Sequence, residues 1–143
     1  MYAVIVSAWD LETALRDQLK GRFRVASQLH MADKEYWATP LHDVVDLIKR
    51  EKIYDLAYLD EVHDCDDFAH NLSDAMIRSC WKNRRRVRPH AFGEIWGRVP
   101  GGGHAINVML NSDGAVRLVE PQRNTGIMTP DECDISEIWM IRI

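Results

Sequence analysis

Three side chains of this sequence could act together as a nucleophile, a base and an orienting acid: Cys65, His104 and Glu120. Cys65 lies in YLDEVHDCDDFAHNLSDAM, just ahead of Phe68, Leu72, Met76 and Cys80, which recur every four residues and predict an amphipathic helix over 65–81. A cysteine at a helix N-terminus meets the positive end of the macrodipole and free N–H groups, and both favour the thiolate. Asp64, Asp66 and Asp67 oppose it, so a working thiolate here requires a histidinium or a metal ion close by. The bland alternative is a cysteine that merely packs.

His104 and Glu120 fall on two predicted strands, HAINVML (104–110) and AVRLVE (115–120), joined through NSDG. A turn centred near residue 112 makes paired positions sum to about 224, which sets Glu120 opposite His104. There the carboxylate accepts an imidazole N–H and fixes the tautomer, completing a thiol, imidazole and acid constellation. The bland alternative is an ordinary polar pair on a hairpin. The Cys65 backbone N–H is the expected first oxyanion donor, and Tyr58 and His63 are candidates for the second.

The elements that must hold these groups follow from pattern. AVIVSA (3–8) reads as a strand. Asp10 is the expected N-cap of a helix that stops at Gly21, and FRVASQL is a second strand. Thr39-Pro40 opens a helix through Arg50, with Leu41, Val44, Val45 and Ile48 at helical spacing. AFGEIWGRV (91–99) alternates, PGGG (100–103) reads as a turn or mobile loop, and EIWMIRI (137–143) as a terminal strand. Helices first and an antiparallel sheet after them give an α+β fold.

Charge is unevenly placed. Residues 54–67 hold six acids and no Lys or Arg, and five of the seven residues in KNRRRVR (82–88) are basic. The basic run caps the negative end of the cysteine helix, or forms a phosphate- or acid-binding patch. The acids are either a solvated face or ligands for a hard cation, Ca2+ or Mn2+, which would relieve the repulsion around Cys65. A zinc site from His63, Cys65, His104 and Cys133 matches no zinc spacing. Cys80 is expected on the buried stripe of the helix and Cys133 as a bystander on a loop, with the five tryptophans in the core or lining a groove.

Composition bounds the rest. With 143 residues, 46% of them hydrophobic and 28% charged, the chain fits a single globular domain. A net charge of −4 disfavours general nucleic-acid binding. No apolar run reaches the roughly 18 residues that span a bilayer, and MYAVIVSAWDLE has no signal-peptide pattern. Three scattered cysteines are too few for a disulfide framework, and the odd count leaves a free thiol that points to a reducing compartment or a reactive cysteine, with a cytoplasmic location expected.

Cys-Asp-Asp-Phe-Ala on a helix, Gly-His-Ala-x-Asn on a strand, then Asp-Gly and Val-Glu-Pro-Gln form an ordered set over residues 54–143. The set resembles the C-terminal domain of fungal chimeric agglutinins, a papain-like, calcium-dependent cysteine protease domain. The resemblance implies a papain-like α+β fold, with the cysteine-bearing helix packed on an antiparallel sheet. It implies Cys65 as nucleophile, His104 as base, Glu120 as orienting acid, and Asp66 and Gln122 at the activating metal, with Asp64 and Asp67 beside them. Residues 1–53 carry no motif of that family and are expected to extend or cover the catalytic half. The implied function is a metal-dependent thiol hydrolase cleaving an amide bond in a peptide or protein substrate. A cell-wall peptidase or amidase is the same chemistry on another substrate. A non-catalytic, phage-type host-interaction or inhibitor protein on that scaffold is the alternative of a different class.

Overall fold

The computed structural model describes residues 4–82 and 88–143. Strand β1 (Ile5–Ser7) runs directly into helix α1 (Ala8–Gln18). The helix starts before Asp10 because Ser7, not Asp10, is the N-cap: its Oγ accepts the Asp10 N–H at 3.1 Å. Asp10 instead places its charge in the first turn, where the dipole favours it. Strands β2 (Phe23–His30) and β3 (Glu35–Trp37) follow, then helix α2 (Leu41–Glu51), which ends on Lys52 in the left-handed region. Helix α3 (Cys65–Lys82) carries the expected four-residue stripe, with Phe68, Leu72 and Met76 buried and Cys80 half-buried.

Strands β4 (Phe92–Val99), β5 (Gly102–Leu110), β6 (Val116–Val119), β7 (Ile127–Met128) and β8 (Glu137–Arg142) complete the chain. They form one sheet with β2, in the order β2-β8-β4-β5-β6-β7, while β1 and β3 pair separately. Here the structure corrects the expected arrangement. The sheet is mixed, because β2 lies parallel to β8 while its other pairs are antiparallel. Residues Gly102 and Gly103, expected in a loop, open β5.

Alternation along the strands sorts the core into two clusters. On one face Ile95, Ile106, Val108, Leu118 and Ile141 meet Leu11 and Leu15 of α1 and Leu19 at its C-cap. On the other, Phe92, Met109 and Val119 meet Val44 and Leu47 of α2 and Phe68, Leu72 and Met76 of α3. The segment before residue 54 therefore supplies a helix to each face of the sheet. Among the described residues no helix is long and apolar enough to cross a membrane.

Candidate functional site

The hairpin register decides where His104 meets its acid. Asn107 pairs with Val119 and Leu110 with Val116, so paired positions sum to 226 instead of 224. Gly114, at φ +84°, takes the left-handed position of the turn and moves its centre to Asp113. Glu120 thus sits level with Ile106, one diagonal step from His104 on the same face. From there the His104 Nε2–H donates to Glu120 Oε2 at 2.6 Å. That bond fixes the tautomer and leaves Nδ1 as the basic nitrogen. The other carboxylate oxygen accepts the Gln122 N–H at 3.2 Å. Glu120 is buried and His104 half-buried.

The Glu120 backbone is held from behind by Gly126, whose carbonyl accepts the Glu120 N–H at 2.8 Å. A Cβ on Gly126 would lie 2.1 Å from the Glu120 carbonyl oxygen, so only glycine fits. Gly126→Ala is expected to cost about 2–3 kcal/mol through overpacking and to lower Tm by roughly 10 °C. A thermal melt unchanged within about 2 °C would contradict this account of the corner.

Cys65 reaches the same region from the opposite layer. Pairing of β6 with β5 begins only at Asn107, so the Ala105 N–H lies beyond that ladder, and the Cys65 sulfur is its acceptor. The thiol is therefore tied to the residue next to His104. Burial pushes its pKa up, the Ala105 N–H pulls it down, and the charges of Asp64 and Asp66 push it further up, for a net rise. The pull of the helix dipole toward the thiolate is thus outweighed by burial and by the flanking acids, whose opposition is expected from the sequence. Asp64 is also raised, first by the hydrogen bond its carboxyl shares with Asp66, then by burial and the charges of Asp66 and Asp67. Ligating atoms of Asp64, Cys65 and Asp66 lie within 4.8 Å of one another. Asp67 turns the other way and accepts the Asp64 N–H at 3.2 Å, as a first-turn residue of α3. Gln122 is held at Glu120 through its backbone.

The remaining expectations sort as follows. His63 has both ring nitrogens engaged, Nδ1 with Ala57 O at 2.9 Å and Nε2 with Asn71 Nδ2 at 3.0 Å. It is therefore occupied by the fold and is not a donor to the thiol. Tyr58 is raised by partial desolvation and by the charges of Asp64 and Cys65, which places its hydroxyl near that pair. Residues 83–87 of the basic segment lie outside the described residues. Arg88, at its end, pairs with Glu35 at 2.9 Å.

Sequence reading missed the other wall of the site. An open groove of about 300 Å3 is lined by His104, Glu120, Arg123, Met128, Cys133 and Asp134, among others. Cys133, expected to be a bystander, is buried, and burial pushes its thiol up. Arg123, Cys133 and Asp134 sit in connecting segments with no periodicity, so pattern carries no signal for them.

A family model described as the ricin-type beta-trefoil lectin C-terminal domain matches residues 12–136. Two solved structures are similar to the chain. The PSL1a–E64 complex superposes with a TM-score of 0.82 at 18% identity, covering 97% of this chain and 51% of its own. Polyporus squamosus lectin, bound to the human-type influenza-binding epitope Neu5Acα2-6Galβ1-4GlcNAc, gives 0.78 at 18% identity, covering 97% and 49%. The chain spans about half the length of each. No curated protein matches it.

These findings keep the likeness to fungal agglutinins at the level of a lectin C-terminal domain and extend it toward the N-terminus, from 54–143 to 12–136. They correct what was attached to it. The fold is that of the matched lectin domain, in place of the papain-like assignment. The expected peptide-cleaving thiol hydrolase, with its peptide or protein partner, is overturned by matches to lectins, one of them named with a glycan. The cell-wall peptidase and phage-type inhibitor alternatives are set aside on the same ground. The physical reason is that short motifs around a cysteine helix and a hairpin fix a scaffold, and a scaffold does not specify its ligand.

Proposed function

Because the chain belongs to the family of ricin-type beta-trefoil lectin C-terminal domains, we propose that it is a carbohydrate-recognition module with a saccharide seated in the groove beside His104 and Glu120. The observation that carries this reading is the groove itself, an open cavity of about 300 Å3 lined by both polar and apolar side chains. Glu120, Arg123 and Asp134 offer planar acceptors and donors for hydroxyl groups, while Ile106 and Met128 meet the apolar face of a sugar ring. The named glycan of Polyporus squamosus lectin supports the ligand class. On a glycan array the chain is expected to retain oligosaccharides, and Arg123→Ala with Asp134→Ala to weaken retention at least tenfold, about 1.4 kcal/mol. Absence of any retained glycan, or full retention by the double variant, overturns the reading. The free cysteines fit a reducing setting, and the proposal places the chain in the cytoplasm.

A second reading rests on the 2.6 Å contact between His104 and Glu120 and on the Cys65 sulfur held at Ala105. In it Cys65 supplies a nucleophilic sulfur, His104 takes its proton at Nδ1, and Glu120 holds the ring and stabilises the imidazolium. The oxygen donors of Asp64 and Asp66 fit a hard divalent cation, Ca2+ or Mn2+, since two like charges this close gain from a shared positive charge. The ligand set proposed from sequence also holds Asp67, whose carboxylate accepts the Asp64 N–H, and Gln122, held at Glu120 through its backbone. When bound, the ion supplies charge neutralisation beside the thiol.

A further inference from the structure

The sheet face that carries α3 is only half covered. Beyond the helix N-terminus it is built by Trp96 and Arg98 of β4, Gly103 and Ala105 of β5 and Arg142 of β8, neighbours in the strand registers, and by Trp139, which falls in the register shift of β8 between the Trp96–Met140 and Gly97–Ile138 pairs. Gly103 is what opens this surface. A Cβ there would lie 2.9 Å from the Trp139 ring, so the indole lies across β4 and over the glycine backbone. Trp139 remains 40% exposed although it is an aromatic on the sheet itself.

Each indole is flanked by a guanidinium, and each guanidinium by a carboxylate. Arg98 lies 5.8 Å from the Trp139 ring centroid, and its Nε is 3.6 Å from Glu137. Trp139 Nε1–H donates to Glu137 Oε1 at 3.2 Å, which holds the ring in plane. Arg142 lies 5.6 Å from the Trp96 ring and donates to the buried Glu94 at 2.9 Å. Glu94 is held from its other oxygen by His70 of α3 at 3.1 Å. The rings are thus fixed, and the positive charges beside them are already answered. A surface of this make favours a ligand with flat apolar faces edged by neutral hydroxyls over one that brings a net charge. Such a ligand stacks its C–H face on an indole and reaches Arg98 and Glu137 with its hydroxyls.

We propose that Trp139, with Trp96, Arg98, Glu137 and the bare backbone of Gly103, forms a saccharide-stacking shelf for the pyranose rings of a neutral oligosaccharide, distinct from the groove on the other face. The proposal rests on the carbohydrate reading above and adds a second subsite to it. The shelf lies beside Cys65, because Trp96 pairs with Ala105, whose amide holds the sulfur. A glycan lying along it runs past the thiol.

The test titrates the full chain with Galβ1-4GlcNAc and with its sialylated form Neu5Acα2-6Galβ1-4GlcNAc, followed by indole Nε1–H signals in NMR. The Trp139 signal is assigned by its loss in Trp139→Ala. The neutral disaccharide is expected to shift that signal. Trp139→Ala weakens its binding at least tenfold, and Trp139→Phe recovers part of the loss. Melting temperatures of the variants check that each is folded, as expected for a ring at the surface. Binding that survives Trp139→Ala but is lost in Arg123→Ala overturns the shelf and leaves the groove standing. A Trp139 signal moved only by the sialylated sugar also overturns it, since the neutral character is wrong. Binding of neither sugar overturns the shelf, while the groove reading is decided by the glycan array.

Discussion

Asn107→Ala is expected to destabilise the protein by about 3 kcal/mol, the summed loss of hydrogen bonds near 1 kcal/mol each and of oxygens left buried without a donor. Asn107 is fully buried on β5, facing α3. Its side-chain nitrogen donates to Ala69 O at 2.8 Å, Ser73 Oγ at 3.0 Å and Gly93 O at 3.0 Å. One amide therefore fastens the helix that carries Cys65 to the strand that carries His104, and to β4 as well. Leucine contacts exist along the same seam, but they are non-directional and tolerate sliding of the helix. The amide does not, which is why its removal affects position as well as stability. Asn107→Asp is expected to be worse, since it places a carboxylate against three oxygens. A urea titration checks both: the midpoint falls by roughly 1–2 M at constant slope for alanine. A shift under 0.3 M would show that α3 is held by apolar packing alone.

The seam was only partly legible in the sequence. Helix α3 was, because Phe68, Leu72, Met76 and Cys80 give an unbroken four-residue period. The strands β4, β5, β6 and β8 were also legible from alternation. Three features were not. Strand β2 was readable, but its parallel partner β8 lies more than a hundred residues away, and no local pattern encodes such a pairing. The β5–β6 register slipped by two because a single left-handed glycine, Gly114, moves the turn centre by one residue. The glycine run was read as a loop because glycine marks turns in general, whereas Gly103 lies in a strand to let the Trp139 ring pass over it. The site shows the same division. His104 and Glu120 were paired from sequence and do meet, although diagonally. Arg123 and Asp134 were invisible, lying on connections without period. The choice of ligand class was the reading furthest from the residues, and the lectin matches overturned it together with the papain-like fold assignment.

Removing the acids beside Cys65 is expected to accelerate its alkylation at pH 7 by tenfold or more. In the protein as built, the thiol is raised by burial and by Asp64 and Asp66. Its alkylation midpoint should therefore lie above the usual 8.5 or so, and at pH 7 the sulfur is largely protonated. A thiol raised in the folded state contributes stability below the unfolded value and loses it as pH climbs through the folded one, so the protein weakens on the alkaline side. Asp64→Asn combined with Asp66→Asn removes two like charges and brings the midpoint down. A shift of one unit in the midpoint is a tenfold change in thiolate at neutral pH. An ion at the proposed site acts on the same charges, so millimolar Ca2+ or Mn2+ is expected to lower the midpoint in the native chain and to do nothing in the double variant. His104→Ala moves it the opposite way in the presence of the ion, slowing alkylation by about a hundredfold, the low end of what a positioned base contributes. Iodoacetamide rates from pH 6 to 10, read on a Cys80→Ser, Cys133→Ser background, separate these cases. Equal rates with and without the ion would remove the metal from the proposal. Rates indifferent to His104 would leave Cys65 a packed thiol, as burial alone would make it.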